Sequence, residues 1–215
     1  MVIAVVSAKG GTGKSTITLN LGGALSSEKL KVLIVDSDPQ GSVAQWSKKS
    51  TQKEPTILVE SALSIHKKIQ KFYDKYDFVL FDCPPTFKKR MHSVIRLADR
   101  LIIPVSPGLA DYWSTKKLLD IYFEEKEKKP KLDARLVISR IDRRTKSGRE
   151  FRPFLERLSI PIFVTEIPQR IVFNDVWNAR MSVDRLQPKS EGAKDFRRLA
   201  QEVMIWTEKS GTKNK

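Results

Sequence analysis

The chain has 215 residues, 40% of them hydrophobic, with 40 Lys and Arg against 25 Asp and Glu and a formal net charge of +15. That length suits one α/β domain with a sizeable core, no apolar run approaches the ~18 residues that span a bilayer, and the start does not read as a signal peptide. The single cysteine, Cys83, excludes internal disulfides and a four-thiolate metal site within one chain and points to the cytoplasm. The excess of positive charge points to a polyanionic partner, most economically nucleic acid.

In chain order, Val2–Val6 is a β-branched apolar run without alternation, the pattern of a strand buried on both faces. The stretch Ser7-Ala8-Lys9-Gly10-Gly11-Thr12-Gly13-Lys14-Ser15-Thr16 follows it. The phosphate-loop pattern G-x-x-x-x-G-K-[ST] is met at Gly13-Lys14-Ser15 but finds Ala8 where its first glycine should stand. Ser15–Leu25 then carries Ile17, Leu21 and Leu25 at roughly helical spacing. In this strand–loop–helix setting Gly10, Gly11 and Gly13 allow a tight turn whose N–H groups face an anion, and the helix adds its positive end. Lys14 is expected to neutralise the β- and γ-phosphates and the Ser15 hydroxyl to hold Mg²⁺.

Further strand-like runs are Lys31–Asp36, Phe78–Asp82, Leu101–Pro104, Arg135–Ile141 and Pro161–Val164. Helix-like segments lie between them at Ile65–Tyr76, Arg90–Leu97, Ser114–Lys126, Phe151–Leu158 and Ala193–Thr207. The alternation predicts an α/β fold, a predominantly parallel twisted sheet flanked by helices on both faces. Residues 1–209 are expected to form one domain, and 210–215 a polar tail; Lys128-Lys129-Pro130-Lys131 is a connection within it.

Ligands of such sheets bind at the carboxyl ends of the strands. There the second run ends in Asp36-Ser37-Asp38-Pro39-Gln40-Gly41-Ser42, and Phe78–Phe81 ends in Asp82-Cys83-Pro84-Pro85. An apolar strand closed by one acid is the Walker B arrangement for Mg²⁺, which assigns Asp82 to the metal with Ser15, Asp82 acting through water. The stiff loop Pro104-Val105-Ser106-Pro107 borders the same crevice.

Together these pieces resemble the ParA/MinD family of P-loop ATPases, the deviant Walker A type. Its loop K-G-G-x-G-K-[ST] is similar to Lys9 through Ser15 without exception, and the likeness runs on through Asp36-x-Asp38-Pro39-Gln40-Gly41, Phe81 to Pro85, Pro104 to Pro107, Ile138-Ser139-Arg140 and Ile167-Pro168-Gln169-Arg170. The small ParF-like branch, without an added N-terminal DNA-binding domain, is the nearest in pattern. The resemblance implies ATP and Mg²⁺ as cofactors, held by Lys9 to Thr16, with Arg140 and Pro168 flanking the adenine. At position 139 the family more often has Asn, where this chain has Ser139. It further implies that Lys9 reaches across a homodimer to the partner's nucleotide, as an arginine finger would. Asp38 would orient the attacking water, so that Lys9, Lys14 and Asp38 form the catalytic set, with Asp36 structural or outside the inner metal shell.

Members of the family bind DNA non-specifically through basic residues of the C-terminal half. The resemblance assigns that role here to Arg170, Arg180, Arg185, Lys194, Arg197 and Arg198; other basic clusters stand at Lys88-Lys89-Arg90 and Arg143-Arg144-x-Lys146. The implied function is a nucleoid-associated, cytoplasmic ATPase that positions DNA or a protein cargo and is stimulated by an adaptor or cargo-bound activator. The alternative is a MinD-like regulator that cycles on the membrane by a C-terminal amphipathic helix. Ala193–Thr207 does carry an apolar stripe, but Glu191, Asp195, Glu202 and Glu208 set acids on and around its polar face, which favours a helix packed on the sheet. An iron–sulfur or metal carrier on the same fold would need cysteines that one Cys83 does not supply.

Overall fold

The computed structural model describes residues 1–38, 43, 46, 55–59, 74–84 and 89–208. Nearly all of the helix expected over Ile65–Tyr76, the Pro39–Ser42 part of the second motif, Pro85, Lys88 and the 210–215 tail lie outside them. Seven strands, β1 (Val2–Val5), β2 (Val32–Asp36), β3 (Thr56–Val59), β4 (Phe78–Asp82), β5 (Arg100–Val105), β6 (Asp133–Ile141) and β7 (Ile167–Pro168), form one sheet in the order β3-β2-β4-β1-β5-β6-β7. Every neighbouring pair is parallel, so all carboxyl ends share one edge. The glycine loop leaves the central strand β1, and the registers set Val5 beside Asp82 and Asp82 beside Asp36.

Among the described residues, the helices with defined bounds that cover the faces are α1 (Lys14–Ser27), α2 (Lys89–Leu97), α3 (Leu109–Lys128), α4 (Lys146–Leu155), α5 (Val172–Ala179), α6 (Val183–Leu186) and α7 (Glu191–Glu208). Alternate β1 residues feed the two cores. Val2 and Ala4 meet Met91 and Val94 of α2, Leu118 and Tyr122 of α3 and Phe151 of α4. Ile3 and Val5 share the other layer with Ile17 and Leu21 of α1, Val176 of α5 and Phe196, Leu199 and Val203 of α7. Each of the fully buried Val, Ile, Leu, Met and Phe side chains among them contributes roughly 1.5–3 kcal/mol. The first helix, α1, packs directly on the last, α7, and on α6. Asn20, wholly buried in α1, ties that contact: its Nδ2 donates to Thr16 O (2.8 Å) and its Oδ1 accepts from Val183 N (2.7 Å).

The apolar stripe of α7 is therefore spent inside the protein. Trp206, 3% exposed, donates from Nε1 to Asp133 Oδ2 at 2.8 Å, with the Arg135 guanidinium 5.0 Å from its ring centroid. Among the described residues no helix is long and apolar enough to cross a membrane.

Several element expectations need correction. The four-residue edge strand β3 has no counterpart among the expected runs. The expected strand Pro161–Val164 is a single bridge, Leu136 to Ile162, because the next two backbone N–H groups, of Val164 and Thr165, turn away to the Glu202 carboxylate, each at 2.8 Å. The helix expected from Ser114 begins at Leu109, directly behind Gly108. The one expected over Phe151–Leu158 begins at Lys146, where Thr145 Oγ1 caps it by accepting from Gly148 N at 3.0 Å, and gives way after Leu155 to a 3₁₀ turn over Glu156–Leu158. Helices α5 and α6 were not among those expected.

Candidate nucleotide-binding site

The glycine loop is built as the anion cradle its sequence implies. Gly11 and Gly13 stand at φ +77° and +87°, a left-handed conformation that side chains resist, and Gly13 caps α1. Around them a short network holds the turn: Thr12 Oγ1 donates to Ser7 Oγ (2.9 Å) and Ser7 Oγ to Lys9 O (3.0 Å). The end of β6 holds it from outside. Ser139 Oγ donates to Thr12 O at 2.7 Å and Arg140 Nη1 to Gly11 O at 2.5 Å. Two loop carbonyls are thus occupied and Lys9 N donates to Ser7 Oγ at 3.2 Å, which fixes a turn whose other N–H groups suit a phosphate.

Lys14 is 7% exposed, and its ammonium donates to Lys9 O at 3.3 Å. Burial holds its pKa below the usual lysine value, opposed by Asp82. A cation desolvated to this degree, with a carbonyl for a partner, is a site prepared for anionic charge.

Behind it lies the expected metal position. Ser15 Oγ donates to Asp82 Oδ2 at 2.6 Å and Thr18 Oγ1 to Asp82 Oδ1 at 3.4 Å. Burial lifts the Asp82 carboxyl to about 7, against the Ser15 hydrogen bond that lowers it. The neighbouring Cys83 thiol is pushed up by burial and the Asp82 charge, so it is no nucleophile here. Among the described residues no group of three or more His, Cys, Asp or Glu converges on one point. A hydroxyl beside one carboxylate at a phosphate loop is the oxygen set that fits Mg²⁺, which takes few protein ligands and completes its shell with phosphate oxygens and water. Asp36 is buried on the neighbouring strand and accepts from Asp38 N at 3.0 Å, fixing the start of the segment that carries Asp38.

Arg140 and Pro168 do meet beside the loop: with Gly13, Thr16, Gln169 and Asn174 they line a cavity of 280 Å³. Arg140 takes φ +54° there, an uncommon conformation that turns its side chain back over Gly11.

Lys9 takes a different course from Lys14. Its side chain is 47% exposed, and Nζ lies 2.6 Å from Oδ2 of Asp111, which is 9% exposed in the first turn of α3. Lys9, Gly10, Gly11, Asp111, Asp142 and Gln169 line a separate polar cleft of 400 Å³ at the loop's outer side. Asp111 escaped the motifs; an acid three residues after Gly108, in the first turn of a helix that starts earlier than expected, was the available sign. Nearby, Leu109 and Trp113 are exposed, whereas Tyr112 is half-buried with its ring 4.5 Å from that of Phe154.

The six basic residues expected to touch DNA differ in what holds them. Arg170 and Arg198 share the buried carboxylate of Asp195 (2.9 and 2.7 Å), and Arg197 donates to buried Asp184 at 2.6 Å. Lys194 pairs with Glu191 on the surface, Arg180 follows α5 in a left-handed conformation, and Arg185 stands exposed on α6.

With this geometry in hand, comparison with known proteins is specific. Residues 3–182 match the model of the CobQ/CobB/MinD/ParA nucleotide binding domain. The chain is similar to the maintenance of carboxysome distribution protein A of Halothiobacillus neapolitanus, 28% identical over 197 residues that cover 90% of this chain and 91% of that one. It is also similar to the chromosome-partitioning ATPase Soj of Thermus thermophilus, 24% identical over 238 residues and 94% of each chain. Among solved structures, the septum site-determining protein MinD of Pyrococcus horikoshii complexed with Mg-ADP has a TM-score of 0.78 at 24% identity, covering 97% of this chain and 98% of that one, which shows a shared fold.

Proposed function

Because the chain belongs to the CobQ/CobB/MinD/ParA family of nucleotide-binding domains, in which ATP and Mg²⁺ are the cofactors, we propose that it is a ParA-type positioning ATPase. ATP bridges two copies, the dimer holds nucleoid DNA without sequence preference, and a cargo-bound adaptor stimulates hydrolysis and release. The cargo is a DNA element or a protein body, as the names of the carboxysome-distribution and chromosome-partitioning relatives suggest.

The observation that carries this reading is the division of labour between the two loop lysines. Lys14 is buried in the cradle, where it faces the chain's own nucleotide. Lys9 points outward and is held at Asp111. A second positive charge kept at the mouth, half in water, serves a nucleotide that arrives from another copy better than its own. In that role it places charge where the γ-phosphate develops it, while Asp38 orients the water and Ser15 and Asp82 hold Mg²⁺. When bound, Mg²⁺ offsets phosphate charge. The protein's own part is to orient the triphosphate along the loop amides and to fix the attacking water at the Asp38 carboxylate.

Sedimentation with ATP and Mg²⁺ tests it, with Asp38→Ala as the slow-hydrolysing control. Lys9→Ala keeps nucleotide binding, which rests on Lys14 and the loop, but sediments as a monomer where Asp38→Ala sediments as a dimer. A Lys9→Ala protein that dimerises as well as the control removes the cross-subunit role.

A further inference from the structure

A second cavity, of 560 Å³, lies beside the Lys9 cleft and is lined by Ile141, Asp142, Arg143, Arg144 and the segment Pro168–Arg170. Its three arginines are all fixed in the same manner. Arg143 meets Glu166 through Nε (2.8 Å) and Nη2 (2.6 Å), Arg144 meets Asp142 through Nε (2.9 Å) and Nη2 (2.8 Å), and Arg170 meets Asp195 through Nε (2.9 Å) and Nη2 (2.8 Å). In each, a carboxylate takes the Nε–Nη2 edge, so the Nη1 edge remains for another acceptor. A guanidinium oriented in advance loses less side-chain freedom on meeting a phosphate, and its fork suits two phosphate oxygens at once.

The local charge stays positive. Glu166 also serves Arg152 (3.0 Å) and Asp195 also serves Arg198 (2.7 Å), so five guanidiniums share three carboxylates. Arg149 adds a sixth, donating to Arg144 O at 2.8 Å. Six guanidiniums tied together through these shared partners are more than one small anion needs. The walls are concave and mixed, with Asp142 and Gln169 beside the arginines and Ile141 and Pro168 as apolar lining, a shape suited to a polymer backbone more than to a flat bilayer.

We infer that this arginine-lined cavity binds the phosphate backbone of nucleic acid. The inference rests on the nucleic-acid reading above and moves its centre from α7 to the loop between β6 and α4. It also gives that binding a link to nucleotide: Asp142 and Gln169 line both this cavity and the Lys9 cleft, and Pro168, Gln169 and Arg170 line both it and the cavity beside the phosphate loop. A partner copy seated over the Lys9 cleft borders the arginine row directly.

The test is anisotropy of a labelled random-sequence duplex titrated with protein, ATP and Mg²⁺ at several salt concentrations. Arg143→Ala/Arg144→Ala is compared with Lys116→Ala/Lys117→Ala, which removes the same charge from exposed positions of α3. The arginine pair is expected to weaken binding about tenfold or more and to make the slope of log affinity against log salt shallower by about 2, with the lysine pair changing affinity less than about threefold. Arg144→Glu, at a side chain 89% exposed, repeats the loss without touching Glu166 should the double variant fold poorly. Equal losses in both pairs, or an unaffected arginine pair while the wild-type protein binds duplex, overturns the inference and leaves DNA binding elsewhere on the chain. A wild-type protein that binds no duplex overturns the nucleic-acid reading itself. Vesicles of mixed phosphatidylcholine and phosphatidylserine that are released by the arginine pair, with duplex binding unchanged, overturn it in favour of a membrane surface.

Discussion

Freeing Lys9 should make the ATP-bound dimer tighter. Its ammonium is 2.6 Å from Asp111, and one side of the pair is 9% exposed while the other is 47% exposed. A fully exposed pair contributes about 0–1 kcal/mol; with Asp111 buried, about 1 kcal/mol per subunit is a fair working figure after allowance for the half-wet lysine. If Lys9 must leave Asp111 to reach the partner's nucleotide, a dimer breaks two such pairs. Asp111→Asn abolishes the charge attraction in advance, so the dimer gains about 2 kcal/mol, roughly thirtyfold in dissociation constant. Sedimentation equilibrium with ATP and Mg²⁺ in an Asp38→Ala background, which keeps hydrolysis from eroding the dimer, measures it. The reasoning fails if Asp111→Asn shifts the constant by less than twofold. It fails equally if the gain survives in Lys9→Ala/Asp111→Asn, because Asp111 would then oppose the dimer by some route other than Lys9.

Other outcomes follow from the same site. Lys14→Ala should abolish nucleotide binding in calorimetry, since it removes the desolvated cation from the cradle; wild-type affinity would overturn the assignment of the loop. Asp82 gives a pH signature. Its folded value of about 7 lies above the ordinary 3.8, so the stability it contributes without metal is full below about 4 and is lost as pH rises through 7. The melting temperature of the metal-free protein should therefore fall from about pH 5 to pH 8, and Asp82→Asn should flatten that fall and cancel Mg²⁺ protection of bound nucleotide. Gly148→Ala should cost about 2 kcal/mol or more in urea unfolding, because the added Cβ would run into the backbone oxygen of Asp142 in the loop that presents Arg143 and Arg144; an unchanged midpoint would mean that loop yields freely.

What could be read from the chain alone was whatever depends on neighbours in sequence. Lys9 to Thr16 are contiguous, and their chemistry is local: glycines for the turn, a lysine and a hydroxyl for phosphate and metal. Asp82 was legible because a strand and its terminal acid are also contiguous. The alternation of apolar runs and helix-like segments sufficed for the parallel architecture. Where contacts between distant segments decide, the pattern fell short. Val164 and Thr165 leave the sheet because of Glu202, 38 and 37 residues on. The state of Lys9 depends on Asp111, and that of Arg170, Arg197 and Arg198 on Asp184 and Asp195, each an ordinary surface acid in one dimension. The start of α3 was hidden because Leu109 and Ala110 follow Pro107-Gly108, a pair that reads as a turn. Edge strand β3, four residues long and half-exposed, offers too short a run to stand out from a loop.

The packing of α1 on α6 and α7 has a consequence for how the chain is made. The glycine loop and its helix leave the ribosome early, but the layer that buries them includes Val183, Phe196, Leu199 and Val203. At synthesis rates of roughly 5–20 residues per second, α1 waits on the order of ten seconds or more for that layer to emerge. During that interval Ile17, Leu21 and Leu25 have the sheet on one side and water or a chaperone on the other. Contacts of such long sequence separation also slow folding once the chain is complete. The loop itself is held from outside by Ser139 and Arg140 of β6, well over a hundred residues on, so the newly made protein passes through a stage in which its most recognisable motif is present and its binding site is not.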